Sequence, residues 1–270
     1  TPPTAEAIAR AGLGTALARD GRFRDARLAL DEAVDFCRTH GADKALNLAL
    51  SSRVVVAMNL GDDEAQCDAD MEESIAVAAR IGNLRNIGGK LILAGERQRK
   101  RGNLEQARSL YLDAHDRLQR VDAAAAGIAA INLVLTCLAQ GDVPAATHWL
   151  ATAEPALDNE VFHDLLEIQR FALNLMNGEP AEAYWHAHEK LRQDWDLAWI
   201  LEVAGRAALD GPNDKMARLA LQRAALIWRS QGDTDRSTAL HRLLGVIDSG
   251  TLPMDLSAIH VRKRDDGDSA

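Results

Sequence analysis

Residues 61 to 73, GDDEAQCDADMEE, carry seven carboxylates in thirteen positions, the densest concentration of potential chemistry in the chain. A calcium loop needs oxygen ligands at alternating positions around a central glycine and a distal bidentate glutamate. This stretch has neither. Asp62 and Asp63 also lack the third aspartate, three residues on, that a diphosphate-and-metal motif would add. Carboxylates at a helix start are favoured by the helix dipole, so the cluster reads as a solvated first turn with no metal. His186 and His188 lie two apart, which on a helix sends them to nearly opposite sides and prevents joint chelation. His148 beside Trp149, and His163 beside Asp164, read as surface or interfacial histidines.

A second group is basic. GERQRKRG, residues 95 to 102, places Arg97, Arg99, Lys100 and Arg101 where guanidinium and ammonium groups could hold a carboxylate or phosphate. Cations at a helix C-terminus also suit the dipole, which is the competing explanation. The chain has no G-x-S-x-G, no H-E-x-x-H, no phosphate loop and no dinucleotide glycine signature. Neither catalysis nor a cofactor is expected.

The elements that must position these groups follow from composition and spacing. With 270 residues, 47% of them hydrophobic, the chain has enough apolar surface for a substantial core in one to two domains. A formal charge of −9 opposes general nucleic-acid binding. The longest apolar run, AAAAGIAAINLVLTCLA, is alanine-rich and interrupted by Asn132 and Thr136, so no membrane span is expected. Three dispersed cysteines, Cys37, Cys67 and Cys137, argue against a disulfide framework, and the start TPPTAEAIARAG does not read as a secretory signal. A cytoplasmic location is expected, and the missing initiator methionine suggests a piece of a larger polypeptide. Arginine outnumbers lysine 25 to six, which points to a GC-rich bacterial genome.

Gly21, Gly61, Gly102, Gly141, Gly178 and Gly211 recur at spacings of 40, 41, 39, 37 and 33 residues, a period typical of stacked repeats. Between them apolar residues recur three and four apart, with no strand-like alternation. The pattern predicts thirteen helices: 5–20, 23–39, 43–60, 63–81, 84–101, 104–121, 123–140, 143–157, 159–177, 180–194, 196–209, 213–231 and 234–247. GRFRDARLALDEA and GNLEQARSLYLDA repeat the same spacing 81 residues apart. Short turns make successive helices antiparallel, and close crossings demand small residues. Gly14 and Gly95 are therefore expected where Ala26 and Ala107 approach, with Leu30 and Tyr111 plugging the flanking space.

Leu13-Gly14, Leu17, Ala26, Leu30 and Ala33 resemble the tetratricopeptide repeat pattern W-x-x-L-G-x-x-Y…A-x-x-x-F. Leu91, Ala94-Gly95, Ala107, Tyr111 and Ala114 resemble it again, as do Leu201, Ala204-Gly205, Ala208, Ala217, Leu221 and Ala224. Arg10 stands where tryptophan is usual, the closing proline is missing, and the period is nearer 40 than 34. Such long repeats are similar to those of the maltose-regulator type in large bacterial signalling proteins. The resemblance implies an all-α, right-handed solenoid of six antiparallel helix pairs plus a capping helix over residues 1–247. Residues 248–270 form a tail, expected to be disordered after about Arg262 and able to dock through PMDLSAIHV.

It further implies a non-catalytic interaction module that takes a peptide or helix partner in a concave groove. By register from the turns, that groove is expected to hold Ile92, Glu96, Arg99, Ile131, Asn132, Leu135 and Ile168. Thr15, Leu48, Val55, Met58, Ile128, Leu138, Leu165 and Leu175 are assigned to the same inner set. The alternative is an effector-sensing domain of a transcriptional regulator or kinase, in which a small molecule or signal peptide occupies the trough.

Overall fold

The computed structural model describes residues 3–60 and 64–245. Asp62, Asp63 and the tail from Asp248 onward, with PMDLSAIHV, lie outside the described residues. Thirteen α-helices are present among those described: α1 (Pro3–Arg19), α2 (Phe23–His40), α3 (Asp43–Leu60), α4 (Glu64–Arg80), α5 (Leu84–Lys100), α6 (Leu104–Leu118), α7 (Ala123–Ala139), α8 (Val143–Ala153), α9 (His163–Asn177), α10 (Ala187–Lys190), α11 (Trp195–Ala208), α12 (Asp214–Ser230) and α13 (Thr234–Leu243). No described residue is in a strand.

The turn chemistry explains why most boundaries are readable. Asp122, Asp142, Asp194 and Asp233 each accept a hydrogen bond from the backbone N–H three residues on, satisfying a donor that the new helix cannot pair internally. Gly102 and Gly141 take left-handed φ values of 83° and 73°, which a side chain would resist. At the turn expected around Gly211, the left-handed residue is Asp210, φ 60°, and its backbone N–H bonds the Asp214 carboxylate. Aspartate tolerates that conformation better than most residues.

Several predicted helices are cut short, and three show why. Helix 143–157 ends at Ala153 and gives way to a 3-10 turn, Glu154–Ala156, because Pro155 supplies no N–H. Helix 159–177 begins only at His163, after the Asn159 side chain accepts a bond from the Val161 N–H and turns the chain. Helix 180–194 is reduced to a 3-10 turn, Glu182–Tyr184, and the single turn of α10. Its aromatic and histidine residues are mediocre helix formers. Trp185 stacks on His188 at 3.9 Å between centroids, and the Gln193 amide donates to the carbonyls of His188 and Leu191. Leu191 is extended, so the segment closes on itself.

Packing divides the chain into two compact units, Thr1–Leu173 and Asn174–Ala270. In the first, each of α1 to α7 packs on the next helix, and α3 also packs on α1. Ala7 and Ala11 of α1, Ala26, Leu30 and Ala33 of α2, and Ala49 and Leu50 of α3 form one buried cluster. Ile87 and Leu91 of α5, Ala107, Tyr111 and Ala114 of α6, and Ala129 and Leu133 of α7 form another. In the second unit α12 packs against both α11 and α13, around a fully buried Trp228 whose indole N–H donates to Glu202 at 2.8 Å.

Ala26, Ala107 and Ala217 are fully buried, as close crossings require. The glycines, however, admit the large residue. A β-carbon on Gly14 would lie 2.5 Å from Leu30 Cγ, one on Gly95 2.5 Å from Tyr111 Cε1, and one on Gly205 2.7 Å from Leu221 Cγ. The large side chain is a knob seated on the glycine rather than a plug beside an alanine contact. Gly88 against Leu118 and Gly127 against Leu157 repeat the device outside the motif.

Candidate functional site

The residues assigned to a groove are mostly covered. Arg99 is 2% exposed, Asn132 6%, and Ile92, Ile131, Leu135 and Ile168 are buried, while Glu96 is half-buried. Arg99 and Asn132 do come together: the Arg99 guanidinium hydrogen-bonds Asn132 Oδ1 at 3.5 Å and the Tyr111 hydroxyl at 3.4 Å. Asn132 Nδ2 donates in turn to the Ile128 carbonyl. This is an interior bracket between α5, α6 and α7, and Asn132 is spent within it. Leu138 and Leu175 are buried, and Thr15, Ile128 and Leu165 are half-buried. Of the inner set, Leu48, Val55 and Met58 face outward, at 39%, 44% and 39% exposure. All three lie on α3, within an arc of about 80° at 100° per residue.

That apolar stripe ends at a cavity of about 390 Å³ lined by Ala57, Met58, Glu64, Cys67, Arg97, Lys100 and Arg101. The last turn of α3 supplies Ala57 and Met58, the first turns of α4 supply Glu64 and Cys67, and the end of α5 supplies the cations. Periodicity brings Arg97, Lys100 and Arg101 to one side of α5, since they are three and four residues apart. The carboxylate they hold is the protein's own. Arg97 Nη2 meets Asp68 Oδ1 at 2.9 Å, Arg101 Nη1 meets Asp68 Oδ2 at 2.7 Å, and Arg101 Nη2 meets Glu64 Oε2 at 2.9 Å. Burial alone would raise the Asp68 pKa, but hydrogen bonds from Arg101 and Arg97 outweigh it and hold the group below the ordinary carboxylate range. Hydrogen bonding to Asp68 raises Arg101. Desolvation pushes the Cys67 thiol up, so the cavity wall beneath the arginines is an uncharged S–H.

Three carboxylates of α4, Asp68, Asp70 and Glu73, are therefore engaged by other helices. Asp70 is buried and takes a bidentate bond from Arg53 of α3, at 2.6 and 2.5 Å; Arg53 also reaches Asp31 of α2 at 3.1 Å. Glu73 meets Arg38 of α2 at 2.5 Å. The described first turn, from Glu64, is exposed as expected, but farther along α4 Asp68, Asp70 and Glu73 form an acidic ridge tying it to α5, α3 and α2. The spacing of charges along one helix cannot reveal the guanidinium groups that face it. Among the described residues no three His, Cys, Asp or Glu side chains are grouped to hold a metal ion.

One polar group escaped the sequence reading altogether. Lys90 on α5 is only 7% exposed and its ammonium donates to the hydroxyls of Ser51 on α3 and Ser74 on α4. Beside it, Asn47 Nδ2 donates to Asn86 Oδ1 at 3.1 Å, while buried Asn47 Oδ1 has no hydrogen-bond partner. Desolvation lowers the Lys90 pKa to about 8. A signal was present: Lys90 is the lone charge in IGGKLILAG and aligns, 81 residues on, with Ala9. The histidines separate as their spacing implied, His186 exposed and His188 buried. Burial lowers the His188 pKa.

Comparison of the sequence with models of known protein families gave no match, and comparison with curated proteins gave none either. No helix among the described residues is long and apolar enough to cross a membrane.

Proposed function

We propose that the chain is a non-catalytic interaction module, a tetratricopeptide-like right-handed α-solenoid from a larger bacterial signalling protein of the cytoplasm. The observation that carries the reading is the outward stripe of Leu48, Val55 and Met58 on α3. Apolar side chains grouped on one helix face are what an amphipathic helix or extended peptide docks against. The sequential packing of helices and the recurrence of glycine beneath Leu30, Tyr111 and Leu221 support the repeat architecture. The burial of Ile92 and Arg99 on α5 and of Ile131, Asn132 and Leu135 on α7, against the exposed stripe of α3, supports an interaction surface on α3.

A photo-crosslinking residue introduced at position 55 tests this in cells, with the same residue at exposed Arg229 as the control. A discrete adduct at position 55, lost in Leu48→Glu, is expected. Equal background labelling at the two sites would sink the proposal.

A second reading, effector sensing, draws on the cavity at the end of the stripe. Its volume of about 390 Å³ lies within the range of small-molecule sites, and it joins apolar walls to a cationic rim. Thermal-shift screening tests it, since a ligand of the folded state alone raises Tm saturably.

A further inference from the structure

Lys90 is the only buried lysine among the described residues, and no described carboxylate forms an ion pair with it. Its partners are hydroxyls. The Nζ reaches Ser51 Oγ on α3 and Ser74 Oγ on α4, and those two oxygens lie 3.4 Å apart. Ser74 is fully covered, whereas Ser51 is half-buried and shares a face of α3 with Leu48 and Val55. An ammonium held away from water without a counter-charge gives up its proton readily, and desolvation brings this one to about 8. A share of the chains therefore carries the free amine near neutral pH, which is the nucleophilic form. The same burial limits what can react: only a small, uncharged electrophile reaches a nitrogen enclosed by three helices.

The product of such a reaction also finds support. Ser74 Oγ accepts from Lys90, and among the described residues the only other oxygen within reach of its hydroxyl hydrogen is Ser51 Oγ. Ser51 Oγ donates to the Asn47 carbonyl at 2.6 Å, a bond it can leave by rotation about its side-chain torsion. Two hydroxyl donors from two helices thus flank the Lys90 nitrogen, and hydrogen bonds to an anion are the stronger kind.

We propose that Lys90 is a carbon dioxide acceptor, forming a carbamate whose oxygens are held by Ser74 and Ser51. The amine lone pair attacks the carbon of CO2, an N–C bond forms, one C–O π pair moves onto oxygen, and the nitrogen releases a proton to solvent; nothing is oxidised or reduced. An amine becomes an anion at the junction of α3, α4 and α5. Because Ser51 lies between Leu48 and Val55, the new charge arises beside the apolar stripe, although the modification does not depend on what that stripe binds.

The test equilibrates the intact chain with carbon-labelled bicarbonate as the source of CO2. A single saturable carbamate resonance is expected by NMR, and alkylation with an oxonium salt followed by peptide mass spectrometry should place the trapped carboxyl on Lys90, not on exposed Lys44 or Lys215. Ser74→Ala should raise the CO2 concentration at half-occupancy several-fold, and Ser51→Ala, at the less buried position, should do the same even where the Ser74 variant fails to fold. Labelled acetyl phosphate, a larger and charged donor, should acetylate Lys44 and leave Lys90 untouched. No trapped carboxyl on Lys90, equal trapping at Lys44 and Lys215, unchanged half-occupancy in the folded serine variants, or acetylation of Lys90 as fast as of Lys44 overturns the assignment.

Discussion

Arg53 shows how much one interior charge can decide. Its guanidinium lies between Asp70 and Asp31, and although desolvation works against the charged form, the hydrogen bonds and charges of the two aspartates together outweigh it and raise the pKa. Removing one member of a buried pair strands the other, at a cost of about 3–5 kcal/mol. Asp70→Ala leaves Arg53 only the half-exposed Asp31 and should lower the unfolding free energy by up to about that amount in urea titration, and Arg53→Met with Asp70→Leu should recover most of it. Lys90 gives a prediction in pH. Its folded pKa of about 8 lies below the ordinary lysine value of 10.5, so between those limits the unfolded chain binds more protons and stability must rise with pH. Relative to Lys90→Met, the wild type should gain about 3 kcal/mol from pH 8 to pH 10.5, at 1.36 kcal/mol per pKa unit. Below pH 8 the difference should be flat. Neither role was legible: the sequence marks Lys90 as an isolated charge, but only its neighbours on α3 and α4 make it costly.

At the scale of the element, α5 contains its own control. Gly95 and Gly89 are helical glycines six residues apart, and replacing either by alanine gains up to about 1 kcal/mol of helix propensity. A β-carbon on Gly89 meets nothing within 4 Å, whereas one on Gly95 collides with the fully buried Tyr111 ring. Gly89→Ala should thus raise Tm, and Gly95→Ala should lower stability by the roughly 1–3 kcal/mol of an overpacked contact. Thermal melts of the pair would separate knob-on-glycine packing from mere helix propensity. Element boundaries were readable where aspartate, asparagine or glycine marked the turn. They failed where Pro155 or the side chains of Trp185, His188 and Gln193 took over the backbone groups a longer helix would need.

For the whole molecule, the relevant fact is that helices pack mainly on their sequence neighbours, within two compact units. Stability in such a chain is a sum of local interfaces, so damage should stay local. Leu221→Ala removes the knob on Gly205 and should cost about 2–5 kcal/mol in α11 to α13. Amide exchange should quicken in those helices while α1 to α8 keep their protection; uniform loss along the chain would contradict the division into units.

What the sequence determined by itself was the all-helical class, most turns, and the small residues at the crossings, because helix period and turn chemistry are local. The burial of Arg99, Asn132, Ile131 and Leu135, and the exposure of Leu48, Val55 and Met58, were decided by tertiary packing alone. A 3.6-residue period tells which side chains share a face but not which faces a neighbouring helix covers. The same limit hid the carboxylate that Arg97 and Arg101 hold. Asp68 lies 29 residues from Arg97 in the chain, and only the packing of α4 on α5 places it within 2.9 Å.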